Sequence, residues 1–329
     1  MSAYCDLPAT SVFLEPPHAQ SVDEFTRPLH IVTPLLDTEI LGRRVGLKLD
    51  CLQPARSFKL RGIGHLCQHH AALGVRRFVC SSAGNAGYAV AWAGRALGIA
   101  VTVVVPTVTP EFVRRRIAAL GAEVRALGDV WDQANEAALE LSRRPGCAFI
   151  HPFDHPLLWQ GHASLISELA EQCTEAPDAL LLAVGGGGLL LGVLKDLRRV
   201  GWEKTRVFAV ETEGAAALRQ SLADGRIVEL AQPSSVASSL CVRRMSSALV
   251  AACRDRPVTP LTVSDAQASD ACVHLAEDHG LIVEPACGAA LAPLYAGHHA
   301  LAGFRDVVGI VCGGMVVTLE QLTRWSQQR

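Results

Sequence analysis

The feature that most constrains the fold of this chain is a regular alternation of strand-like and helix-like segments. Short β-rich runs occur at residues 45–49, 78–81, 101–105, 123–126, 148–151, 180–184, 207–211 and 307–311. Helical stretches occur between them at residues 87–97, 111–120, 131–142 and 189–200. Because alternation at this spacing favours parallel strands joined by right-handed crossovers, we predict an α/β fold built from doubly wound open parallel sheets.

The length of the chain predicts two domains, because 329 residues exceed the size at which a single core usually stops growing. The first 25 residues contain Pro8, Pro16 and Pro17 and are predicted to form an irregular N-terminal lead-in, residues 1–25. A proline-containing stretch at residues 151–156 is typical of a crossover between domains. We therefore predict a large domain of residues 26–52 plus 157–329 and a small domain of residues 53–156.

Composition excludes several classes of protein. Half of the residues are hydrophobic and few are aromatic, which suits parallel strands buried on both faces. The formal charge of −2 and the absence of a basic run argue against a nucleic-acid partner. The eleven cysteines are scattered without a Cys-x-x-Cys pair, which predicts reduced thiols in a cytoplasmic protein. No signal-peptide pattern and no run of about 18 apolar residues occurs, so we expect a soluble protein without a membrane partner.

Four short segments carry the chemistry, and each lies at a predicted strand end or helix start, where doubly wound folds bind ligands. They are Ser57–Gly62, Ser81–Gly87, Gly185–Gly188 and Cys312–Gly314. In the first, Lys59 follows an aromatic ring at a helix start, a setting in which an amine can have its pKa lowered and can form an imine with a carbonyl cofactor. Alone, this segment is equally typical of a solvated surface lysine. Together the four segments predict a binding site for pyridoxal phosphate.

The glycine run predicts a phosphate site, because it exposes backbone N–H groups at the start of a helix. A dinucleotide fingerprint fails because Leu190 stands at its last glycine position, although Glu211 lies where a ribose-binding acid would sit. In the second segment, Asn85 is a candidate partner for the cofactor ring oxygen; a simple helix cap is the alternative. Cys312 is either a small core residue or a neutral partner for a pyridine nitrogen.

These segments resemble the fold type II, or β-family, pyridoxal-phosphate enzymes, whose fold is like that of the tryptophan synthase β-subunit. Within that family the chain is most similar to the liver-type serine/threonine dehydratases, from about Leu29 to the last strand. Four further strings carry the likeness: Arg61–Cys67, Pro152–Asp154, Gly161–Ser164 and Val283–Leu291. The resemblance implies an L-serine/L-threonine ammonia-lyase that forms pyruvate or 2-oxobutyrate and ammonia by β-elimination. It also implies a homodimer acting on a small amino-acid substrate.

The resemblance assigns a role to each matching position. Lys59 holds the cofactor as a Schiff base and moves the Cα proton; Ala83 is the second catalytic position, where racemases tend to have Ser. The other cofactor-binding residues are Phe58 and Ser239 on the two ring faces, Asn85 at the ring hydroxyl, Cys312 at the ring nitrogen, and Gly185, Gly186, Gly187 and Gly188 at the phosphate. The residues that frame the substrate carboxylate are Ser82, Ala83, Gly84, Asn85 and Ala86. A monovalent-cation site, for K⁺, is implied at Glu211, Ala215, Leu240 and Val242.

Several positions depart from the family pattern. Arg56 stands where the usual Pro-Ser-Gly-Ser-Phe-Lys has Gly, Cys241 replaces another Gly, and Met315 replaces an Asn after the last Gly-Gly. Ala217 stands in the cation site where Ser or Asp is expected, which argues against a divalent metal there. Two alternatives stay open: another enzyme of the same fold, such as an amino-acid racemase or a β-replacement synthase, and a catalytically weakened regulatory relative.

Overall fold

A computed structural model describes residues 27–256 and 258–328, so the predicted lead-in at residues 1–25 lies outside the described part. The strands are β1 Leu35–Ile40, β2 Arg43–Lys48, β3 Arg77–Cys80, β4 Ala100–Val105, β5 Glu123–Ala126, β6 Cys147–Phe149, β7 Ala179–Ala183, β8 Arg206–Thr212, β9 Thr259–Val263 and β10 Val307–Ile310. The helices are α1 Lys59–Ala72, α2 Asn85–Leu97, α3 Glu111–Ala118, α4 Trp131–Ser142, α5 Pro156–Gln172, α6 Gly188–Arg199, α7 Ala217–Asp224, α8 Ser247–Asp255, α9 Asp265–His279, α10 Pro285–Tyr295 and α11 Leu319–Ser326.

The strands form two open sheets. One has the order β1-β2-β10-β7-β8-β9 and the other has the order β5-β4-β3-β6. The predicted α/β fold with parallel sheets is confirmed, with one correction: β1 pairs with β2 in the antiparallel sense. Leu41 and Gly42 join these two strands and both have positive φ, at +52° and +74°. A two-residue turn of this kind allows an antiparallel hairpin and leaves no room for a crossover.

Each sheet has its own hydrophobic core. The central strand β7 is buried on both faces, with Leu180, Leu181 and Leu182 fully inaccessible, as expected of a parallel strand covered by helices. A second buried cluster packs around α1, α2, β3 and β4. The predicted limits of the two domains stay a prediction, although the two sheets divide the chain in a similar way.

A buried ionic network ties the first turn of α1 to the larger sheet. The Arg61 guanidinium donates to Asp50 Oδ2 at 2.7 Å and to Glu168 Oε1 at 2.6 Å. Lys48 on β2 donates to Glu168 Oε2 at 2.8 Å. Burial alone would raise the pKa of Glu168, but the hydrogen bonds from Arg61 and Lys48 bring it below its ordinary value. The residue two positions after Lys59 is therefore held in place by paired charges.

Two further observations concern the environment of the chain. Among the helices of residues 27–256 and 258–328, none is long and apolar enough to cross a membrane. Ten cysteines lie in the same part of the chain, and all ten are free thiols.

Candidate active site

The predicted segments converge at the carboxyl edge of the sheets. Ser57 forms an isolated antiparallel bridge with Gly313, and the Phe58 N–H donates to the Cys312 carbonyl at 2.9 Å. The Met315 N–H, two residues further on, donates to Asn85 Oδ1 at 3.2 Å. The third segment joins them through Ser239. A Cβ at Gly185 would lie 3.0 Å from the Ser239 carbonyl oxygen, and Ser239 Oγ lies 3.5 Å from Asn85 Nδ2. The structure thus brings all four segments together.

Lys59 is the first residue of α1, and its amine is enclosed. Its Nζ donates to the Pro152 carbonyl at 2.9 Å and lies 5.0 Å from the centroid of the Phe58 ring. Burial lowers the pKa of Lys59 to about 8, against the smaller opposing influence of Cys312, Cys80 and Glu284. An amine with this pKa is present as the free base in a substantial fraction near neutral pH. It can therefore act as a nucleophile toward a carbonyl and as a proton acceptor.

The glycine run leads from β7 into α6 and has no room for side chains. A Cβ at Gly186 would lie 2.2 Å from the Phe153 ring, and a Cβ at Gly188 would lie 2.5 Å from the Phe153 carbonyl oxygen. Gly187 has a φ of +90°, in the left-handed region that favours glycine. The N–H groups of these residues take no part in the backbone hydrogen bonds of the described residues. They are available to an anion at a helix start, so the site fits the phosphate of pyridoxal phosphate.

Asn85 begins α2 and is held by a buried acid that sequence reasoning did not include among the site residues. Its Nδ2 donates to Glu284 Oε1 at 2.8 Å, and Glu284 is 2% exposed. Burial raises the pKa of Glu284, while hydrogen bonds from Ser239 and Asn85 oppose that rise. Glu284 precedes the proline that begins α10 and lies in one of the strings that carried the resemblance. Its place in that string was the one sequence signal that could have identified Glu284 as a site residue.

Cys312 lies at the end of the last strand as a buried neutral thiol. It is 7% exposed and shares a hydrogen bond with Cys287, which is fully buried. That hydrogen bond, followed by burial, raises the pKa of Cys312 well above its ordinary value. The thiol is therefore protonated at neutral pH, as the predicted partner of an unprotonated ring nitrogen should be. Cys287 was not among the predicted site residues.

His162 lies behind Phe58 and was also missed. Its ring centroid is 5.0 Å from that of Phe58, with the rings tilted at 49°. The side chain is fully buried, and neither ring nitrogen has a hydrogen-bond partner within the described residues. Burial lowers the pKa of His162 well below its ordinary value, so the imidazole is neutral. It supports the aromatic ring predicted to pack on the cofactor.

The predicted substrate loop precedes and opens α2. The Gly84 N–H donates to Ser82 Oγ at 3.3 Å, and Ala86 is buried in the first turn of the helix. Ala83, between the two bonded residues, is half-buried. Ser239 reaches the same region from a short 3-10 turn between α7 and α8, with its Oγ 3.5 Å from Asn85 Nδ2. The loop and the predicted ring contacts therefore share one site.

The residues predicted to bind a monovalent cation lie at the end of β8 and in the segments that follow it. Glu211 is fully buried, and its carboxylate accepts hydrogen bonds from the N–H groups of Leu218 at 2.7 Å and Arg219 at 2.9 Å. Burial raises the pKa of Glu211 to about 7. The Leu240 carbonyl accepts from the Val242 N–H at 2.7 Å, and Ala215 is buried near the start of α7. Glu211 thus caps α7, and cation binding at these four residues stays a prediction.

The fold and the site together define a class of enzyme. Lys59, the glycine run and the neutral thiol of Cys312 are arranged for a phosphorylated pyridine aldehyde at the carboxyl edge of parallel strands. The chain belongs to the family described as pyridoxal-phosphate dependent enzymes, which matches residues 26–313.

Individual relatives agree with this assignment. A "Serine dehydratase-like" protein of Mus musculus is 45% identical over 307 residues, which cover 90% of this chain and 93% of the relative. An "L-serine dehydratase/L-threonine deaminase" of Homo sapiens is 42% identical over 316 residues, which cover 92% of this chain and 96% of the relative. The crystal structure of a fungal L-serine ammonia-lyase from Rhizomucor miehei superimposes with a TM-score of 0.87 at 35% identity. That match covers 92% of this chain and 99% of the fungal chain.

Proposed function

We propose that the chain is a pyridoxal-phosphate-dependent L-serine/L-threonine ammonia-lyase. The observation that carries the proposal is the convergence of Lys59, the glycine run and Cys312 on one site. Two relatives whose names describe this activity, at 42% and 35% identity, support it. Ala83 at the substrate loop favours elimination over racemisation, because racemases tend to have Ser there.

The cofactor, when bound, supplies an electrophilic carbonyl and a conjugated ring that accepts electron density from Cα. The residues of the chain bind and position the cofactor. Gly185–Gly188 hold the phosphate through backbone N–H groups, Phe58 and Ser239 enclose the ring, and Asn85 binds its hydroxyl. Cys312 meets the ring nitrogen as a neutral donor or acceptor, so it places no charge beside the ring.

Lys59 and the substrate loop perform the proton transfer. The loop Ser82–Ala86 binds the substrate carboxylate, which fixes the direction of the Cα–H bond. Lys59, as a free base, removes the Cα proton, and the electron pair forms a Cα=Cβ bond as the Cβ–O bond breaks. The proton taken from Cα and the departing hydroxide together account for the one water that is lost. The enamine that is released hydrolyses in water to a 2-oxo acid and ammonia.

The direct test is product formation from L-serine and L-threonine. We expect release of pyruvate and 2-oxobutyrate with one ammonia each, and we expect Lys59→Ala to abolish both activities. Lys204→Ala is the matched control, because Lys204 is an exposed lysine outside the site. A cofactor-loaded protein that forms no 2-oxo acid from either substrate would overturn the proposal and favour a racemase, a synthase or a regulatory relative.

We also propose that K⁺ binds at Glu211 and the carbonyls of Ala215, Leu240 and Val242. The support is the buried carboxylate of Glu211, which accepts hydrogen bonds from the backbone N–H groups of Leu218 and Arg219. A bound monovalent cation would neutralise the negative charge of the Glu211 carboxylate in place of a charged side chain. If the proposal holds, exchanging K⁺ for tetramethylammonium lowers activity or stability; an identical melting temperature and activity in the two salts would refute it.

Finally, we propose that the enzyme is a cytoplasmic homodimer. Exposed apolar side chains cluster before and around β1, namely Ile31, Val32, Leu36 and Leu41, as expected of a surface that a second copy covers. The free thiols suit a reducing compartment. Light scattering should give twice the 35.0 kDa chain mass, and cell fractionation should place the protein with cytoplasmic markers.

A further inference from the structure

The side-chain amide of Asn85 is held in one orientation by two neighbours of opposite hydrogen-bonding character. Its Nδ2 donates to Glu284 Oε1 at 2.8 Å, and its Oδ1 accepts from the Met315 N–H at 3.2 Å. A backbone N–H can only donate, and an ionised carboxylate can only accept. Turning the amide over would therefore set donor against donor at Met315 and acceptor against acceptor at Glu284.

Glu284 is built into the site as a hydrogen-bond acceptor. Its carboxylate receives hydrogen bonds from three neutral donors, which are Asn85 Nδ2, the Val316 N–H at 3.4 Å and the Ser239 hydroxyl. The side chain is 2% exposed, and its backbone is fixed just before α10, where the Glu284 N–H donates to the Gly313 carbonyl at 3.3 Å. Three donors around one carboxyl group favour its ionised form, against the opposing effect of burial.

The amide nitrogen of Asn85 carries a second hydrogen in addition to the one that Glu284 accepts. Within residues 27–256 and 258–328, its other acceptor is Ser239 Oγ at 3.5 Å, which is long for a hydrogen bond. Asn85 is 8% exposed, so bulk water has little access to it as an alternative acceptor. The amide therefore keeps a donor for a group that enters the site, and in the proposed site that group is the ring hydroxyl of the cofactor.

We infer that Glu284 is a positioning residue that makes Asn85 present an N–H group, and not its carbonyl oxygen, to the ring oxygen of the cofactor. This inference rests on the proposed function for the placement of that oxygen beside Asn85. A hydrogen-bond donor stabilises an ionised oxygen relative to a hydroxyl group. Glu284 consequently keeps the ring oxygen ionised, although it acts only through the amide.

The intervening amide also keeps two negative charges apart. A carboxylate in direct contact with the ionised ring oxygen would repel it, whereas Asn85 lies between the two and can donate to both. Lys59 and Glu284 are close enough for each to influence the pKa of the other, so the carboxylate belongs to the same site as the reactive amine. Glu284 and Asn85 thus form a chain of hydrogen bonds in which the outer group sets the orientation of the inner one.

The protonation of the ring oxygen can be observed without turnover. In cofactor bound to a lysine, an ionised ring oxygen gives a visible absorbance band, and a protonated ring oxygen gives a near-ultraviolet band. The ratio of the near-ultraviolet band to the visible band is measured in substrate-free, cofactor-loaded protein. We expect Glu284→Gln, which keeps the shape but removes the ionised acceptor, to raise this ratio by roughly tenfold, the effect of losing one hydrogen bond to a charged group. Glu284→Asp retains an acceptor and should show a smaller rise.

A double-mutant cycle tests whether Glu284 acts through Asn85. Asn85→Ala removes the donor and should raise the band ratio at least as much as Glu284→Gln does. In protein that already carries Asn85→Ala, the further change Glu284→Gln should leave the ratio within about a factor of two, because the amide through which Glu284 acts is gone. Increases that add in the double variant would overturn the inference, and so would an unchanged ratio in Glu284→Gln.

Asp196→Asn is the matched control for replacing a buried carboxylate by an amide. Asp196 lies on α6, is 4% exposed and accepts from Ser167 Oγ at 2.8 Å, away from the site. This variant should lower the melting temperature and leave the band ratio unchanged; a rise equal to that in Glu284→Gln would overturn the inference. The assay of 2-oxo acid formation is a separate test. A cofactor-loaded protein that forms no 2-oxo acid would overturn the proposed function, while the band ratios would still decide the role of Glu284.

Discussion

At the scale of single residues, the environment of Lys59 distinguishes it from the other lysines of the chain. Only four lysines occur in the sequence. Lys48 is fully buried and paired with Glu168, whereas Lys195 and Lys204 are exposed to solvent. Lys59 is enclosed like Lys48, but it donates to the Pro152 carbonyl and forms no ion pair with a carboxylate of the described residues. Enclosure without a carboxylate partner is the condition that favours the free amine.

This environment predicts the pH dependence of cofactor capture. The pKa of Lys59 is lowered to about 8, from the ordinary lysine value of 10.5. The fraction of Lys59 present as the reactive neutral amine should therefore rise as the pH passes through about 8. We expect the rate at which cofactor-free protein takes up pyridoxal phosphate, followed by visible absorbance, to rise between about pH 7 and about pH 9 and then level off. A midpoint near that of free lysine would contradict this interpretation of the site.

The candidate site residues named from the sequence lie in local motifs, and the residues that contact them from distant parts of the chain were not named. Lys59 and the glycine run are recognisable from adjacent residues alone. Glu284 contacts Asn85 across 199 residues of chain, and His162 contacts Phe58 from a different helix. Neither contact has a signature in spacing, because it depends on how the two sheets meet.

At the scale of elements, the start of α6 should be the most sensitive part of the phosphate site. A Cβ at Gly188 would lie 2.5 Å from the backbone carbonyl oxygen of Phe153, which cannot move without displacing the crossover that also contacts Lys59. We expect Gly188→Ala to weaken cofactor binding by roughly tenfold or more, measured as the Kd for pyridoxal phosphate.

Gly201→Ala provides the control for that measurement. Gly201 lies just beyond the other end of α6 at a φ of +77°, and a Cβ there would meet no atom within 4 Å. Alanine should therefore strain the turn and lower stability slightly, yet leave cofactor affinity intact. Equal affinities in Gly188→Ala and wild type would argue that the phosphate binds elsewhere.

Most central strands were predicted within a residue or two, and the edges of the larger sheet were not. Strands β7 and β10 are apolar throughout, and β4 is apolar except for the buried Thr102, as expected of strands buried on both faces. Both edge strands lacked this signal: β1 carries Asp37, Thr38 and Glu39, and β9 contains Pro260. A proline is tolerated in an edge strand because one side needs no ladder hydrogen bonds. Because a sequence does not show which strands lie at the edge of a sheet, these two polar or proline-containing segments were not predicted as strands.

At the scale of the whole molecule, the buried charges around Glu168 connect three parts of the chain. They link β2, the first turn of α1 and helix α5, so they hold the helix that begins with Lys59 against the larger sheet. We expect Glu168→Ala to lower the free energy of unfolding by about 3–5 kcal/mol, because it leaves the fully buried Lys48 without its carboxylate. Urea unfolding measures the change.

The exposed pair of Arg143 and Glu140 gives the control for this prediction. Its atoms are 2.6 Å apart but mostly exposed, so Glu140→Ala should lower the free energy of unfolding by about 1 kcal/mol at most. Since the pKa of Glu168 is lowered in the folded protein, its contribution is complete at neutral pH and is lost as the pH falls below about 4.5. Similar losses for the two variants would contradict a structural role for the buried network.

The central claim is that pyridoxal phosphate is attached to this chain through Lys59. Borohydride reduction of the cofactor-loaded protein, followed by peptide mapping with mass spectrometry, tests it most directly. We expect one phosphopyridoxyl group per chain, located on the peptide that contains Ser57–Gly62. A modification that falls on Lys48, Lys195 or Lys204, or a cofactor that is lost on denaturation after reduction, would contradict it.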